Sequence, residues 1–166
     1  SKPKKKNGFF KINNTFVNDF LIYRNMFENR KRSLNKSLIQ KHDHYIWWFN
    51  NAHLIEKYYY FNKKIISIFY HLKIKINNKN YWYGGWMSCE AKPSFFEIIN
   101  FLKFQIKVSL LKKRLPWFAI IKKNNKFVYL INRKLKFNAI EDQKVITDIK
   151  KKFNISKKNQ YYFFTK

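Results

Sequence analysis

Apolar residues recur along the chain with two alternating periods, one helical and one strand-like. After a basic tail at residues 1–7, Gly8 to Asn13 reads as a short first strand. From Asn14 to Tyr23, the residues Phe16, Val17, Phe20, Leu21 and Tyr23 fall at helical spacing behind Asn14 or Thr15 as N-cap. A polar stretch, Arg24 to Lys36, leads to a second helix over Ser37 to Asn50, with Leu38, Ile39, His42, Ile46 and Phe49 on one side. The middle of the chain is a meander. Tyr58 to Phe61 is one strand and Asn62-Lys63 a tight turn. Ile65 to Ile76 is a longer strand with Ile66, Ile68, Tyr70, Leu72, Ile74 and Ile76 on one face, and His71, Lys73 and Lys75 on a polar one. Asn77-Asn78-Lys79-Asn80 suits a hairpin, because asparagine tolerates the left-handed region. The next strand, Tyr81 to Cys89, carries Gly84-Gly85 in its interior, where a bulge or a close approach would need them.

Ser94-Phe95-Phe96-Glu97 has the spacing of a capping box, and the helix behind it carries Phe95, Ile98, Ile99, Leu102, Ile106 and Leu110 on one stripe. It closes on Lys112-Lys113-Arg114 and is broken by Leu115-Pro116. Trp117 to Ile121 reads as a buried strand, and Lys126 to Leu135 as a helix with Phe127, Leu130, Ile131 and Leu135 inward. A short strand at Phe137 to Ile140, a helix over Glu141 to Phe153 and a strand at Tyr161 to Phe164 follow. The order β-α-α-β-β-β-α-β-α-β-α-β predicts a single α/β domain over residues 8–166, antiparallel in the middle. Tyr81–Cys89 and Trp117–Ile121 should form a parallel pair, since one long helix joins them.

Composition changes the picture in two ways. The 166 residues are 46% hydrophobic and 20% aromatic, enough to fill a core despite a net charge of +27, which argues against a disordered chain. No window of roughly 18 apolar residues is free of Lys, Asn or Asp, and no apolar run follows the basic tail, so neither a membrane span nor a secretory leader is read. The single cysteine, Cys89, excludes an internal disulfide and any multi-Cys zinc site. A globular cytoplasmic protein is the expectation. Lys and Arg number 36 against 9 for Asp and Glu, which suits a polyanionic partner. The same chain is rich in Lys, Asn, Ile, Phe and Tyr and has only three Gly and three Pro, the signature of AT-rich codons. Nucleic acid is therefore a partner that the charge permits and does not require.

The inventory for chemistry is short. His42 and His44, two apart on a helix, point to different faces and make no metal pair, and no metal site is expected. With glycine only at 8, 84 and 85, there is no Walker loop and no GxGxxG. Cys89 at a strand end, with no histidine near it in sequence, reads as a buried inert thiol. Among the few carboxylates, Glu97 is accounted for by capping. Glu90, just past the Gly-Gly strand, stands where a general base could sit.

Two stretches carry a resemblance. Asp19-x4-Arg24-Asn25 with Asn29-Arg30, then His44-x-x-Trp47, looks like the "RN…R…H..W" pattern of acyltransferases that act on amino sugars or protein N-termini. Trp117-Phe118-Ala119-Ile120-Ile121-Lys122-Lys123-Asn124-Asn125, leading to Lys134-Leu135-Lys136-Phe137, looks like a strand-Asn-helix-"LGF" ending. With Gly84-Gly85 between them, the chain resembles the GNAT superfamily of acyl-CoA N-acyltransferases over residues 9 to 140. The resemblance implies acetyl-CoA as co-substrate, held between the fourth and fifth strands by Trp86, Met87, Ser88, Cys89, Lys92, Ser94, Phe95 and Asn125, and a primary amine as acceptor. The acyl carbonyl would meet backbone amides near Met87 to Cys89, and Glu90 would act as base. Three departures stand out. Glu90-Ala91-Lys92-Pro93 replaces a glycine-rich pyrophosphate loop, Asn132 stands where the family often has an acidic tyrosine, and Lys136 replaces the glycine of "LGF". Tyr129, one turn before Asn132, is the substitute acid the sequence offers. The alternative is a catalytically degenerate GNAT-fold binding or structural protein, such as a phage virion component or a nucleic-acid-associated protein.

Overall fold

The computed structural model describes residues 6–155 and 160–166, so residues 1–5 of the basic tail lie outside it. The elements run β1 (Gly8–Lys11), a 3-10 turn (Asn14–Phe16), α1 (Val17–Asn25), α2 (Phe27–Arg32), α3 (Lys41–Asn51), β2 (Ile55–Asn62), β3 (Lys64–Ile76) and β4 (Lys79–Ser88). They continue with α4 (Phe95–Lys112), β5 (Phe118–Lys122), α5 (Lys126–Lys134), β6 (Asn138–Ala139), α6 (Gln143–Lys152) and β7 (Tyr161–Thr165). The predicted order holds, with α2 added inside the polar stretch. One sheet has the order β1-β2-β3-β4 and the other β5-β7-β6. The expected parallel neighbours meet in a single parallel bridge, Trp82 to Trp117, rather than in a ladder. The Trp82 amide donates to Pro116 O at 2.8 Å, while β5 takes an antiparallel ladder from β7.

The chain divides into two compact units, Ser1–His71 with Gly85–Phe101, and Leu72–Gly84 with Leu102–Lys166. In the first, Ile12, Val17, Phe20, Trp48, Tyr59, Ile68, Met87 and Cys89 form the core. A second aromatic cluster joins Phe9, Tyr60, Phe69 and Phe101, with ring centroids 5.0–6.3 Å apart. Each such ring removed from water contributes about 1.5–3 kcal/mol. In the second unit, Ile76, Tyr81, Phe118, Val145, Ile146, Ile149 and Phe163 pack together.

Several inward faces differ from the periodicity. On α3 the buried residues are His44 and Trp48, while Ile46 and Phe49 are exposed. On α5, Phe127 and Leu130 are exposed, and Ile131 and Asn132 are buried. On α4, Ile98 and Ile99 are buried as the stripe predicts, but further along the buried residues are Phe101, Gln105 and Ser109, one position from Leu102, Ile106 and Leu110, and Leu110 is exposed. The reason is polar: Ser109 Oγ accepts from the Trp117 indole at 2.9 Å and donates to Ile106 O. His71, read as part of a polar face, is fully buried. Its Nε2 lies 3.6 Å from Glu56 Oε2, and its ring stacks on Tyr58. Burial, followed by the neighbouring Glu56, pushes the Tyr58 phenol up to about 12.

The hairpin at Asn77-Asn78 forms with both residues at positive φ. At the far end of the same strand pair, the Cys89 amide donates to Ile66 O. The register set at the turn thus persists, and no net residue is inserted at Gly84-Gly85 as a bulge would require. Gly85 instead answers a close approach. A Cβ there would stand 2.9 Å from the Tyr70 hydroxyl oxygen and 3.2 Å from the ring carbon bearing it. Gly85→Ala is expected to cost about 1–3 kcal/mol by overpacking, read as a lower urea midpoint. Tyr70→Phe in the same chain should recover part of that loss, because it removes the shorter of the two contacts.

Candidate functional site

In the first unit the strand β4 is an edge of its sheet, and a side chain completes part of it. Asn29 is buried, and its carboxamide pairs with Ser88 as a neighbouring strand would. Nδ2 donates to Ser88 O at 2.7 Å, and the Ser88 amide donates to Oδ1 at 3.0 Å. Nδ2 also donates to Tyr23 O at 2.7 Å, which ties the end of α1 to the strand. The amide of Cys89 donates to Ile66 O on the other side. Strand alternation then turns the main chain of Trp86 outward, like that of Ser88. The amides expected to hold an acyl carbonyl at Ser88 and Cys89 are thus engaged within the protein, and Trp86 supplies the outward donor on this stretch.

The segment that positions Asn29 is held by side chains bonded to main chain, which explains why its residues lack a helical apolar pattern. Arg24 Nη2 donates to Asn35 O at 2.8 Å, and Arg30 donates to Asn25 O and Lys36 O. Asn25 exchanges two hydrogen bonds with the main chain of Ile39. Arg24, Asn25, Asn29 and Arg30 were legible as a motif. Their role as a network closing residues 24–39 was not, because the partners are backbone groups 5 to 14 positions away, which no side-chain pattern marks.

Glu90 follows the strand. Its Oε2 accepts from the Ile65 amide at 2.8 Å and its Oε1 from the Tyr23 hydroxyl at 3.3 Å. Burial, then the Glu90 charge, raises the Tyr23 phenol above its ordinary range, so Tyr23 keeps its proton and donates. The Cys89 thiol is buried, and desolvation raises its pKa as well, which keeps it a protonated, unreactive group. Beyond Pro93 the capping box forms as read. The Ser94 amide donates to Glu97 Oε2 at 2.8 Å and the Glu97 amide to Ser94 Oγ at 3.2 Å. Lys92 and Phe96 are exposed beside it, and the Phe95 ring lies edge-on to that of Phe96.

Asn125 and Tyr129 belong to the second unit. Asn125 Oδ1 caps α5 by accepting from the Val128 amide at 3.2 Å. The Tyr129 ring packs on Tyr162 and Phe164, with centroids 5.0 and 5.7 Å away. Asn132 is buried and its Nδ2 donates to Val128 O. Among the described residues, no three His, Cys, Asp or Glu side chains are grouped as a metal site would need, and no helix is long and apolar enough to cross a membrane.

No family model matches the sequence, and no curated protein matches it. Solved structures do match. The ribosomal-protein-alanine N-acetyltransferase from Brucella melitensis has a TM-score of 0.72 at 12% identity, over 96% of this chain and 98% of that one. The acetyltransferase of the GNAT family from Streptococcus pneumoniae has a TM-score of 0.69 at 10% identity, over 97% and 99%. The protein yncA from Salmonella typhimurium, solved with its cofactor acetyl-CoA, has a TM-score of 0.70 at 9% identity, over 98% and 94%. The chain has the GNAT fold, as the order of elements and the short motifs implied.

Two measurements check this account. Asn29→Ala leaves two carbonyls and one amide without their side-chain partner and should cost about 2–3 kcal/mol by equilibrium unfolding. The second concerns His44, whose Nε2 donates to Val17 O at 2.9 Å between the rings of Phe20 and Trp47. Burial lowers its pKa below the ordinary 6.5. The unfolded chain therefore binds the extra proton first as pH falls, and stability drops through that window and returns above it. The melting temperature should fall from pH 7.5 to pH 5, and His44→Gln should flatten the slope.

Proposed function

We infer that this protein is an acyl-CoA-dependent N-acyltransferase that transfers an acetyl group to a primary amine. The observation that carries the reading is the Asn29 clamp on the outward main chain of Ser88 at the β4 edge, from which strand alternation turns the main chain of Trp86 the same way. A pantetheine amide is complementary to such an edge, and the acyl oxygen would accept from the Trp86 amide. The fold, shared with a protein solved with acetyl-CoA, supports the same assignment. Met87 and Cys89 back this stretch from the core, and Ser88 ends it. The pyrophosphate would lie at the start of α4, near Lys92, Ser94 and the amide of Phe96.

The chemistry needs orientation more than exotic groups. The ammonium of the acceptor loses a proton to Glu90, directly or through one water. The free amine attacks the thioester carbon, the C–N bond forms and the C–S bond breaks. The new amide nitrogen sheds its extra proton to solvent, and CoA leaves as a thiolate that takes a proton from solvent. The Tyr23 and Ile65 donors hold the Glu90 carboxylate in place. Asn125 caps α5 and the Tyr129 ring packs against Tyr162.

Calorimetry with acetyl-CoA and thiol release with a panel of amines test the reading; absence of acetyl-CoA binding at millimolar concentration would overturn it. Glu90→Gln should reduce kcat, while Asn132→Ala should leave turnover nearly unchanged in molecules that remain folded. The cap supplies a sharper check. Glu97 sets a carboxylate at the end of α4 where phosphates would lie, so Glu97→Gln should tighten acetyl-CoA binding severalfold while lowering helix stability by about 0.5–1 kcal/mol.

A further inference from the structure

Arg24 differs from the other arginines of the described segment in having charge to spare. Arg30 spends its guanidinium on Asn25 O and Lys36 O, and Arg32 faces Glu28 at 3.8 Å. Arg24 donates from Nη2 to Asn35 O alone, and its Nη1 is buried without a hydrogen-bond partner. Among the described residues no carboxylate pairs with it; near it are the buried Tyr70 phenol, which burial keeps protonated and neutral, and the repelling Arg30 cation. Half-buried cations without a counter-ion are costly, and such a cost is retained where a ligand relieves it.

A second orphan belongs to the same unit. Ser88 Oγ is buried with no partner, although both main-chain groups of Ser88 are clamped by Asn29. The Asn29 carboxamide also holds the carbonyl of Tyr23, the residue preceding Arg24. One side chain thus ties together the two backbones that carry the orphaned groups. Tyr23 in turn donates to Glu90. A cation and a hydroxyl, both short of an acceptor, therefore lie in the unit that holds the carboxylate suited to receive an ammonium.

We propose that Arg24 and Ser88 bind an oxyanion carried by the acceptor, so that the acceptor is an amine bearing its own carboxylate or phosphate. The inference rests on the acyl-transfer reading and specifies its substrate class. The oxyanion accepts from Arg24 Nη1 and Ser88 Oγ, while the amine of the same molecule faces Glu90. The geometry of a guanidinium suits either anion, and the charge-assisted hydrogen bonds supply selectivity over neutral amines.

The test has a binding arm and a turnover arm. Inorganic phosphate and glutarate are titrated into the full chain by NMR, following the Arg24 guanidinium and Ser88 amide resonances. Saturable shifts are expected, weakened about tenfold or more in Arg24→Gln and also in Ser88→Ala, which leaves the main-chain clamp intact. Acetyl-CoA affinity should fall far less than anion affinity in either variant. A parallel loss of acetyl-CoA affinity would assign the anion site to the cofactor and overturn the proposal. In turnover, β-alanine and phosphoethanolamine distinguish carboxylate from phosphate, with ethanolamine as the neutral control. Arg24→Gln and Ser88→Ala should each raise KM for the preferred anionic amine about tenfold, and by far more than they raise that for ethanolamine. Equal use of ethanolamine by the wild type, with no phosphate or glutarate binding, sinks the oxyanion site and leaves acyl transfer standing. Arg24-dependent anion binding without acetyl-CoA binding does the reverse.

Discussion

The Asn29 carboxamide does for β4 what another strand would otherwise do. Its donor and acceptor meet the carbonyl and amide of Ser88, and a second donated bond reaches Tyr23. A buried amide can be satisfied this way only if the helix that carries it is held at one distance from the sheet edge. The bonds of Arg24, Asn25 and Arg30 to the backbone of residues 35–39 set that distance. The clamp also holds the backbone of Tyr23, whose hydroxyl donates to Glu90. Edge strands are ordinarily exposed to unwanted pairing, and ending one in a side-chain cap limits the stretch left available.

The core beneath this edge is unusual in carrying cations and imidazoles among its aromatics. Lys57 is buried, its Nζ 4.3 Å above the Trp48 ring, and desolvation lowers its pKa. The indole face supplies part of what water would have given. His44 is stacked among Phe20 and Trp47 and kept neutral by the same desolvation. His71 sits against Glu56 and Tyr58. A chain with so many lysines places few of them inside, and the aromatic rings are what make those few tolerable.

Legibility in the sequence divided along the range of each interaction. The capping box at Ser94–Glu97 and the Asn77–Asn78 hairpin depend on residues one to three apart, and both were readable. The element order was readable too, because it rests on local periodicity. The inward faces of α3, α4 and α5 were misplaced where polar partners overrode apolar spacing, as at His44 and Ser109. The helix α2 carries no apolar stripe and depends on long-range bonds from its side chains, so periodicity passed over it. Gly85 was singled out correctly as informative, but the reason, a tyrosine ring from the adjacent strand, depends on register. For the site, Glu90 stood out by the scarcity of acids, whereas the clamp joins residues 59 positions apart.

Burial of Cys89 has a consequence for redox chemistry. Acyl transfer from a thioester releases a free thiol at the end of each cycle, and an accessible thiolate beside it could be trapped by oxidation as a mixed disulfide. Exchange and oxidation both proceed through the thiolate. The Cys89 sulfur, shut in the core and held protonated by desolvation, is withdrawn from both routes. Under the proposed function, β4 can thus carry a cysteine on its inner side without that sulfur becoming a target of the released thiol.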